Sequence, residues 1–529
     1  MTPFTTLAAA VTMAATLSLG LALPAGAQTD EKVLRIGVAV ETSSLDPHFF
    51  NTSGNYNVNN HIFEFLFMFD NNMRPQPHLA ESIERIDDLT WEIKLRQGIF
   101  WSDGTPFTAD DVVFNGERGK SGELQSASPT TRQLLDKTFE AIDDHTLRLT
   151  TDKPAPLTVI ELTYTPMVSR LHGTGAATAD YNSGAAVIGT GPYTLVEWVP
   201  GDRLVLQRNE AFRGEASEWD RIIYTPITSG PTRVAALLNG DVDVINDVPV
   251  SDVARLEAHP DIAVTSAPPN RVIYLGVDQH RDVSPFVKAA DGSDLDHNPL
   301  KKIEVRRAMS LAINRQAIVD RLMEGKAEPA GQPQVPLSFG YNPSVLPDPY
   351  DPERARALLT EAGYPDGFRL TLNGPSGRYV NDVSVMEAIA QMFTQIGIVT
   401  QVATDPPATY FGKAADYSVI LVGYGSDTGE ASSGLTSLLA TRDRERNRGH
   451  VNRGQYSSAE FDAVVEQAVI MFDEAEREKL LQEATAIAMS DLGLIPLYWQ
   501  KSIWGHRKDL TLPSRLDERT YGYMVRSVE

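Results

Sequence analysis

The sequence holds no cysteine among its 529 residues. That excludes disulfides, thiolate nucleophiles and cysteine-ligated zinc or iron–sulfur centres. Histidine is scarce, at 10, and no two fall in the H-x-x-x-H or H-E-x-x-H spacing that sets a pair of imidazoles on one helix face. The acidic stretch Asp291-Gly-Ser-Asp-Leu-Asp-His297 lacks the order of a calcium loop and reads as a solvated loop. No metal and no other cofactor is expected. Positive charge is short as well: 47 lysines and arginines stand against 70 aspartates and glutamates, a balance of −23. Such a surplus of acid speaks against nucleic acid and anionic membrane surfaces as partners. There is no nucleophile elbow and no phosphate loop, and Gly189-Thr-Gly191 lacks the third glycine and the strand-to-helix setting of a dinucleotide site. The chain is not expected to be an enzyme.

Long apolar runs are confined to the N-terminus. Residues 7–23, LAAAVTMAATLSLGLAL, lead into PAGAQ, with Ala25 and Ala27 in the A-x-A cleavage pattern before Gln28. Residues 1–27 read as a secretory signal peptide, although no lysine or arginine precedes the apolar run. No later stretch approaches the roughly 18 apolar residues that a spanning helix needs. The mature chain is expected in the periplasm.

What is present is the material of a large globular protein, with 42% apolar and 22% charged residues. Its length calls for two or three domains. Val33–Val40 reads as a strand, and Ser44-Leu-Asp-Pro47 as a turn. In LTWEIKLRQGIFWSDGTPFTADDVVF (89–114) a strand with one buried face meets a turn, then a helix capped by Thr108 with Asp110 and Asp111 in its first turn. Pro200-Gly201-Asp202 joins two strands as a hairpin. A break in character falls near residue 275, and residues 278–299 read as loop. Beyond it, helices are predicted over 303–323, over 351–363 with Asp351 capping and Gly363 stopping it, and over 383–396. Ser457 and Glu460 offer a capping box for a helix over 461–472, and Asp473 caps the next. Strands alternate with these helices at 368–372, 398–402, 418–422 and 494–498. The class is therefore α/β.

Several blocks, in order, resemble one family. They are SLDP (44–47), WEIKLRQGIFWSDGTPFTADDVVF (91–114), GTGPYTLVEWVPGDRLVLQRN (189–209), NGDVDVI (239–245), VRRAMSLAINRQAIVDRLMEGKAEPA (305–330) and YDPERARALLTEAGYP (350–365). Together they are similar to the large extracytoplasmic solute-binding proteins of ABC transporters for dipeptides, oligopeptides or nickel complexes, solute-binding family 5. The resemblance implies a two-lobed clamp, the type II periplasmic-binding-protein fold with the extra subdomain of the peptide-binding class. Lobe I would comprise residues 28–275 plus 495–529, including that subdomain, and lobe II residues 276–494. The hinge would lie near Val277 and Leu494. Such a chain would be a monomer that captures a short peptide or peptide-like solute and delivers it to permease subunits in the inner membrane. A metal chelate, an opine or an oligosaccharide remains the alternative ligand.

Two loops carry the candidate site. GYGSDTGE (423–430) follows an apolar run and holds Asp427, which fits either a turn carboxylate that accepts backbone N–H bonds or a ligand's partner. The family's peptide-binding members place an aspartate three residues after an aromatic, where it pairs with the ligand's ammonium. Tyr424 and Asp427 match that spacing, with tyrosine in place of the usual tryptophan. GPSGRYVN (374–381) holds Arg378, either solvated or, by the same resemblance, gripping the ligand's terminal carboxylate. Tyr379 and Asn381 are candidates for the same wall, and Asn55 and Tyr56 for a cleft edge in FFNTSGNYNVNNH (49–61). Tyr193, Trp198, Trp499 and Trp504 fit core positions better than stacking ones.

Overall fold

The computed structural model of the protein describes residues 31–49, 52–121, 129–426 and 428–528. The signal segment and Asp427 lie outside the described residues. Two seven-stranded mixed sheets form the frame. The first runs in the order Ile262–Ser266, Ile503–Arg507, Val244–Ile245, Val33–Val38, Arg221–Pro226, Arg203–Arg208, Tyr193–Val199. Its central strand Val33–Val38 pairs parallel with both neighbours, and Leu34 and Ile36 are fully buried. Parallel strands are covered on both faces, which is why this strand is apolar almost throughout. The predicted hairpin is present, with Gly201 at φ 78 in its turn, a left-handed conformation that costs glycine nothing.

The second sheet runs Val287–Ala289, Phe368–Pro375, Val419–Gly425, Arg271–Val277, Ile495–Gln500, Ala327–Pro329, and Ile398–Asp405 pairs parallel with Phe368–Pro375. A separate four-stranded antiparallel sheet, Ala80–Arg85, Thr90–Leu95, Thr146–Thr151, Lys137–Asp143, packs on helix Ala109–Lys120. Its buried Trp91, Ile93 and Leu95 alternate with less buried residues, as the period-2 pattern predicts.

The chain passes between the two large sheets at 267–270 and again at 501–502. Ile262–Ser266 pairs with Ile503–Arg507 in the first sheet, and Arg271–Val277 pairs with Ile495–Gln500 in the second. The break near residue 275 read from sequence falls inside a strand of the second sheet. One apolar cluster continues through the crossing, from Ile245 and Ile262 to Ile273, Leu275 and Ile503.

Three local readings are corrected. The helix predicted over 303–323 is two helices, Ile303–Ala312 and Arg315–Arg321, because the Asn314 side chain accepts from the Ala317 amide at 2.9 Å and starts a new N-terminus. The cap of helix Ala459–Ala468 is Ser458, not Ser457. The stretch read as loop over 278–299 contributes strand Val287–Ala289. Among the described residues no helix is long and apolar enough to cross a membrane.

The SLDP turn is an anchor. Asp46 is fully buried and takes Arg118 Nη2 at 3.1 Å and the Thr178 hydroxyl at 2.8 Å. Arg118 Nη1 also donates to His48 Nδ1 at 2.7 Å, and His48 Nε2 meets the Pro166 carbonyl at 2.8 Å. Burial pushes the Asp46 carboxyl up, but Arg118 outweighs it and the net direction is down. Burial and Arg118 pull His48 down to about 3, and burial holds His61 at about 3 and His78 at about 4. Groups whose folded pKa is depressed contribute stability that is complete above their unfolded pKa and is lost as pH falls through the folded one. Urea midpoints should therefore fall steadily from pH 6.5 towards 4, and a flat profile would contradict this account. Arg118→Met leaves a buried, unpaired carboxylate and should lower the unfolding free energy by about 3–5 kcal/mol; a loss under about 1 kcal/mol would show the pair to be dispensable.

Candidate functional site

Charged side chains from both sheets meet beside the crossing. Arg271 opens a strand of the second sheet, and its Nη2 reaches Glu518 Oε2 at 2.6 Å, on the C-terminal segment packed against the first sheet. Arg271 covers Gly425, where an added Cβ would come within 3.2 Å of its guanidinium. Asn270 and Ser426 exchange bonds across the same seam: Ser426 N donates to Asn270 O at 3.2 Å, and Asn270 Nδ2 donates to Ser426 O at 2.9 Å. The loop carrying the GYGSDTGE motif is thus buttoned to the crossing.

Asp247 enters from the first sheet, just beyond Val244–Ile245, at φ 48. It is exposed to solvent, with charged groups of both sheets around it. Burial and Glu518 push its carboxyl up, Arg233, Arg271 and Arg378 pull it down, and the net direction is up. Arg233 lies underneath and bonds only carbonyls, those of Asn246 at 2.9 Å, Ile227 at 2.5 Å and Asp247 at 2.7 Å among them. Among the described residues it makes no ion pair, and its charge acts on Asp247 through space.

Arg519, next to Glu518, lies 3.9 Å above the Tyr56 ring and gives one hydrogen bond, Nη1 to the Tyr521 hydroxyl at 3.2 Å. Burial pulls its guanidinium down, but Tyr521 and Asp517 outweigh that and keep it charged. Asp517 is engaged by Arg515, and among the described residues no carboxylate lies within 4 Å of Arg519. A guanidinium has five N–H donors, and among the described residues one of Arg519's finds a hydrogen-bond acceptor.

The residues proposed from sequence fall into two groups. Arg378 is exposed, its amide tied to Asp382 Oδ2 at 2.8 Å and its guanidinium 5.2 Å from the Tyr379 ring, and its charge is felt at Asp247. Tyr424 is half-buried and shares a 2.8 Å hydrogen bond with Ser433. Tyr56 is buried under Arg519. These three belong to the meeting place of the two sheets. Tyr379, Asn381 and Asn55 each bond the scaffold. Tyr379 sits in the core with its hydroxyl 3.4 Å from the Gly423 carbonyl. Asn381 takes a left-handed conformation at φ 53 and donates to Leu322 O at 2.6 Å. Asn55 is buried and accepts from the Ser43 amide at 2.8 Å. Tyr193, Trp499 and Trp504 are core, and Trp198 packs on the core. Asp427 lies outside the described residues. Sequence reading missed Asp247, Arg271, Glu518 and Arg519. The one local signal was the run of charge in RLDERTY (515–521), ahead of two tyrosines.

Comparison with known proteins places this geometry. The model for "Bacterial extracellular solute-binding proteins, family 5 Middle" matches residues 74–445. A glutathione-binding protein, GsiB, of Escherichia coli O1:K1 is 30% identical over 508 residues, covering 94% of each chain. The periplasmic binding protein DppA of Helicobacter pylori, solved with the peptide STSA, superposes with a TM-score of 0.77 at 23% identity, covering 94% of this chain and 98% of that one. NikZ of Campylobacter jejuni, solved with Ni(L-His), gives 0.78 at 23%, covering 94% and 99%. The fold is that of the two-lobed periplasmic binding proteins of the peptide-binding class.

The raised carboxyl at Asp247 makes a prediction with a definite sign. A carboxylate whose folded pKa is raised costs stability once ionised, and the cost vanishes below its unfolded pKa of about 3.9. Asp247→Asn should therefore melt at or above the wild-type temperature at pH 7, with the difference closing below about pH 4. A clear drop in melting temperature at pH 7 would mean that the charge is needed to hold the seam together.

Proposed function

We propose that this chain, which belongs to the bacterial extracellular solute-binding proteins of family 5, holds a short peptide or peptide-like zwitterion between its lobes. It is the substrate-binding subunit of an ABC importer and not an enzyme. The observation that carries the ligand reading is Arg519, a charged guanidinium seated on Tyr56 with no carboxylate partner among the described residues. Arg378 brings a second guanidinium from the other lobe. Two such groups on facing lobes suit a ligand with carboxylate ends, since a planar fork matches a carboxylate with paired bonds. Asp427, by its spacing from Tyr424, would take the ammonium. The name of the GsiB relative supports the same reading, since glutathione is itself a peptide-like zwitterion.

Capture would work by closure. Contacts already bridge the lobes: Gly429 abuts Met73, Arg85 lies 4.0 Å over the Phe472 ring, and Trp91 meets the same ring at 6.0 Å. A ligand touching both lobes adds to these contacts and shifts the population towards the closed form. Expelling water lowers the local dielectric and strengthens every charge pair inside. The lobe boundary belongs at 267–270 and 501–502, where the sheets exchange strands. The mature protein would act in the periplasm as a monomer and present its closed form to permease subunits.

Mass spectrometry of solutes released by denaturing the native protein should show a peptide of two to several residues, or a close analogue. A sugar, opine or metal chelate would keep the importer role and overturn the zwitterion clamp. With the released solute as titrant, Arg519→Ala, Arg378→Ala and Asp427→Ala should each weaken binding at least tenfold, about 1.4 kcal/mol. Wild-type affinity in any of them would remove that residue from the site.

A further inference from the structure

The loop that follows strand Ala327–Pro329 holds two buried glutamines with opposite fates. Gln332 spends its whole amide on the scaffold: Nε2 donates to the Asn342 carbonyl at 2.6 Å, and Oε1 accepts from the Asn342 amide at 3.1 Å. Gln334 is 5% exposed, and neither its Nε2 nor its Oε1 has a hydrogen-bond partner among the described residues. The loop itself is fixed. The Trp499 indole donates to the Gln332 carbonyl at 3.1 Å. A few residues on, the Phe339 amide donates to the Gly429 carbonyl at 2.9 Å, and the Ala431 amide to the Phe339 carbonyl at 2.9 Å. Those two bonds tie this segment to the GYGSDTGE loop.

The unspent amide lies beside the candidate cleft residue Tyr424. A Cβ added at Gly434 would sit 3.5 Å from Gln334 Nε2 and 3.6 Å from Tyr424 Cε1, with no atom outside its own helix nearer. The amide, the tyrosine ring and the bare face of Gly434 therefore border a space that takes at least a methyl group. Gly434 closes helix Ala431–Gly434 at φ −64 and ψ −45, a conformation that does not require glycine. The chain runs on as a π-helical turn, Leu435–Leu439, a form found frequently at functional sites.

A buried donor or acceptor that stays unmet bears its full desolvation cost, so each calls for an explanation. A carboxylate partner would serve Nε2 and be repelled by Oε1, and an ammonium would do the reverse. A single partner that serves both ends carries a donor and an acceptor on one edge and no charge, which describes an amide. We infer that Gln334 is a specificity-determining residue of the cleft, and that the space beside Tyr424 receives an uncharged amide of the bound solute, its C=O on Nε2 and its N–H on Oε1. This rests on the peptide reading of the cleft and narrows it to solutes that bring an amide to this wall.

Three dipeptides test it: Asn-Ala, Leu-Ala and Asp-Ala. Their first side chains are close in shape and carry an amide, no polar group and a charge respectively. Calorimetric titration of the mature protein should give Asn-Ala a Kd about tenfold or more below both others. Gln334→Met keeps the length of the side chain, removes the amide and should abolish that preference. Without ligand the same variant should melt at or above the wild-type temperature, because an unmet buried amide is gone. Gly434→Ala puts a methyl into the space at a helical position that favours alanine, and should weaken Asn-Ala about tenfold without lowering the melting temperature. Equal binding of Asn-Ala and Leu-Ala, with both weakened about tenfold in Gln334→Met, would assign the same amide chemistry to the solute's main chain. Dipeptides that bind alike in wild type and variants, or a ligand-free Gln334→Met that melts clearly lower because its amide held a resident water, would overturn this inference alone. If none of the three binds, the peptide reading of the cleft falls and this inference falls with it.

Discussion

Both passages of the chain between the two large sheets run in one two-stranded ribbon. Residues 262–277 and 495–507 run antiparallel side by side, first in one sheet and then in the other, with Ser266 opposite Ile503 before the switch and Arg271 opposite Gln500 after it. At the switch the Ala267 amide donates to the Ser502 carbonyl at 3.0 Å, so the two passages are also bonded to each other. A ribbon built this way is suited to bend as a unit. It resists sliding, because both strands are anchored in sheets at either end, and its apolar underside is continuous core rather than a solvated linker. Hinge motions concentrate at a few element-terminal residues, and residues 267–270 and 501–502 are the ones available.

The charge cluster takes its meaning from that ribbon. Arg271 is the first residue past the crossing, and Glu518 lies on the C-terminal segment packed against the first sheet, so their ion pair spans the two large sheets. Asn270 and Ser426 tie the crossing to the loop that bears Tyr424. Charges at a hinge are costly to bury and are tolerated when each finds a partner. Most do here: Arg515 with Asp517, Arg271 with Glu518, and Arg233 with carbonyls. Arg519 stands apart, with an aromatic ring below it and donors left over.

The third sheet and the SLDP turn serve this arrangement from a distance. Asp46, Arg118 and Thr178 pin three chain segments at one buried point. That holds helix Ala109–Lys120, and with it the four-stranded sheet, against the first lobe. The same small sheet presents Arg85 and Trp91 to Phe472 of the second lobe.

Local physics was legible in the sequence. Asp351 and Asp473 cap their helices as their positions before Pro352 and Glu474 imply, and Gly201 turns its hairpin. Alternation in Trp91–Leu95 marked a half-buried strand, and the ordered blocks pointed to the family and so to the clamp. Such features depend on neighbours a few residues apart, where spacing alone decides which groups meet. Even there, competition escaped the pattern: apolar periodicity over 303–323 gave no warning that Asn314 would cap a second helix. The cleft is another matter. Arg271 and Glu518 are 247 residues apart in the chain, and Arg519 and Tyr56 are further apart still. No period or motif links such pairs, because they are brought together by two sheets sharing one ribbon. Sequence could name Arg378 and Tyr424 as candidates and class Asn381 or Asn55 with them. Only the tertiary structure decided which of these side chains bond the scaffold and which reach the seam between the two sheets.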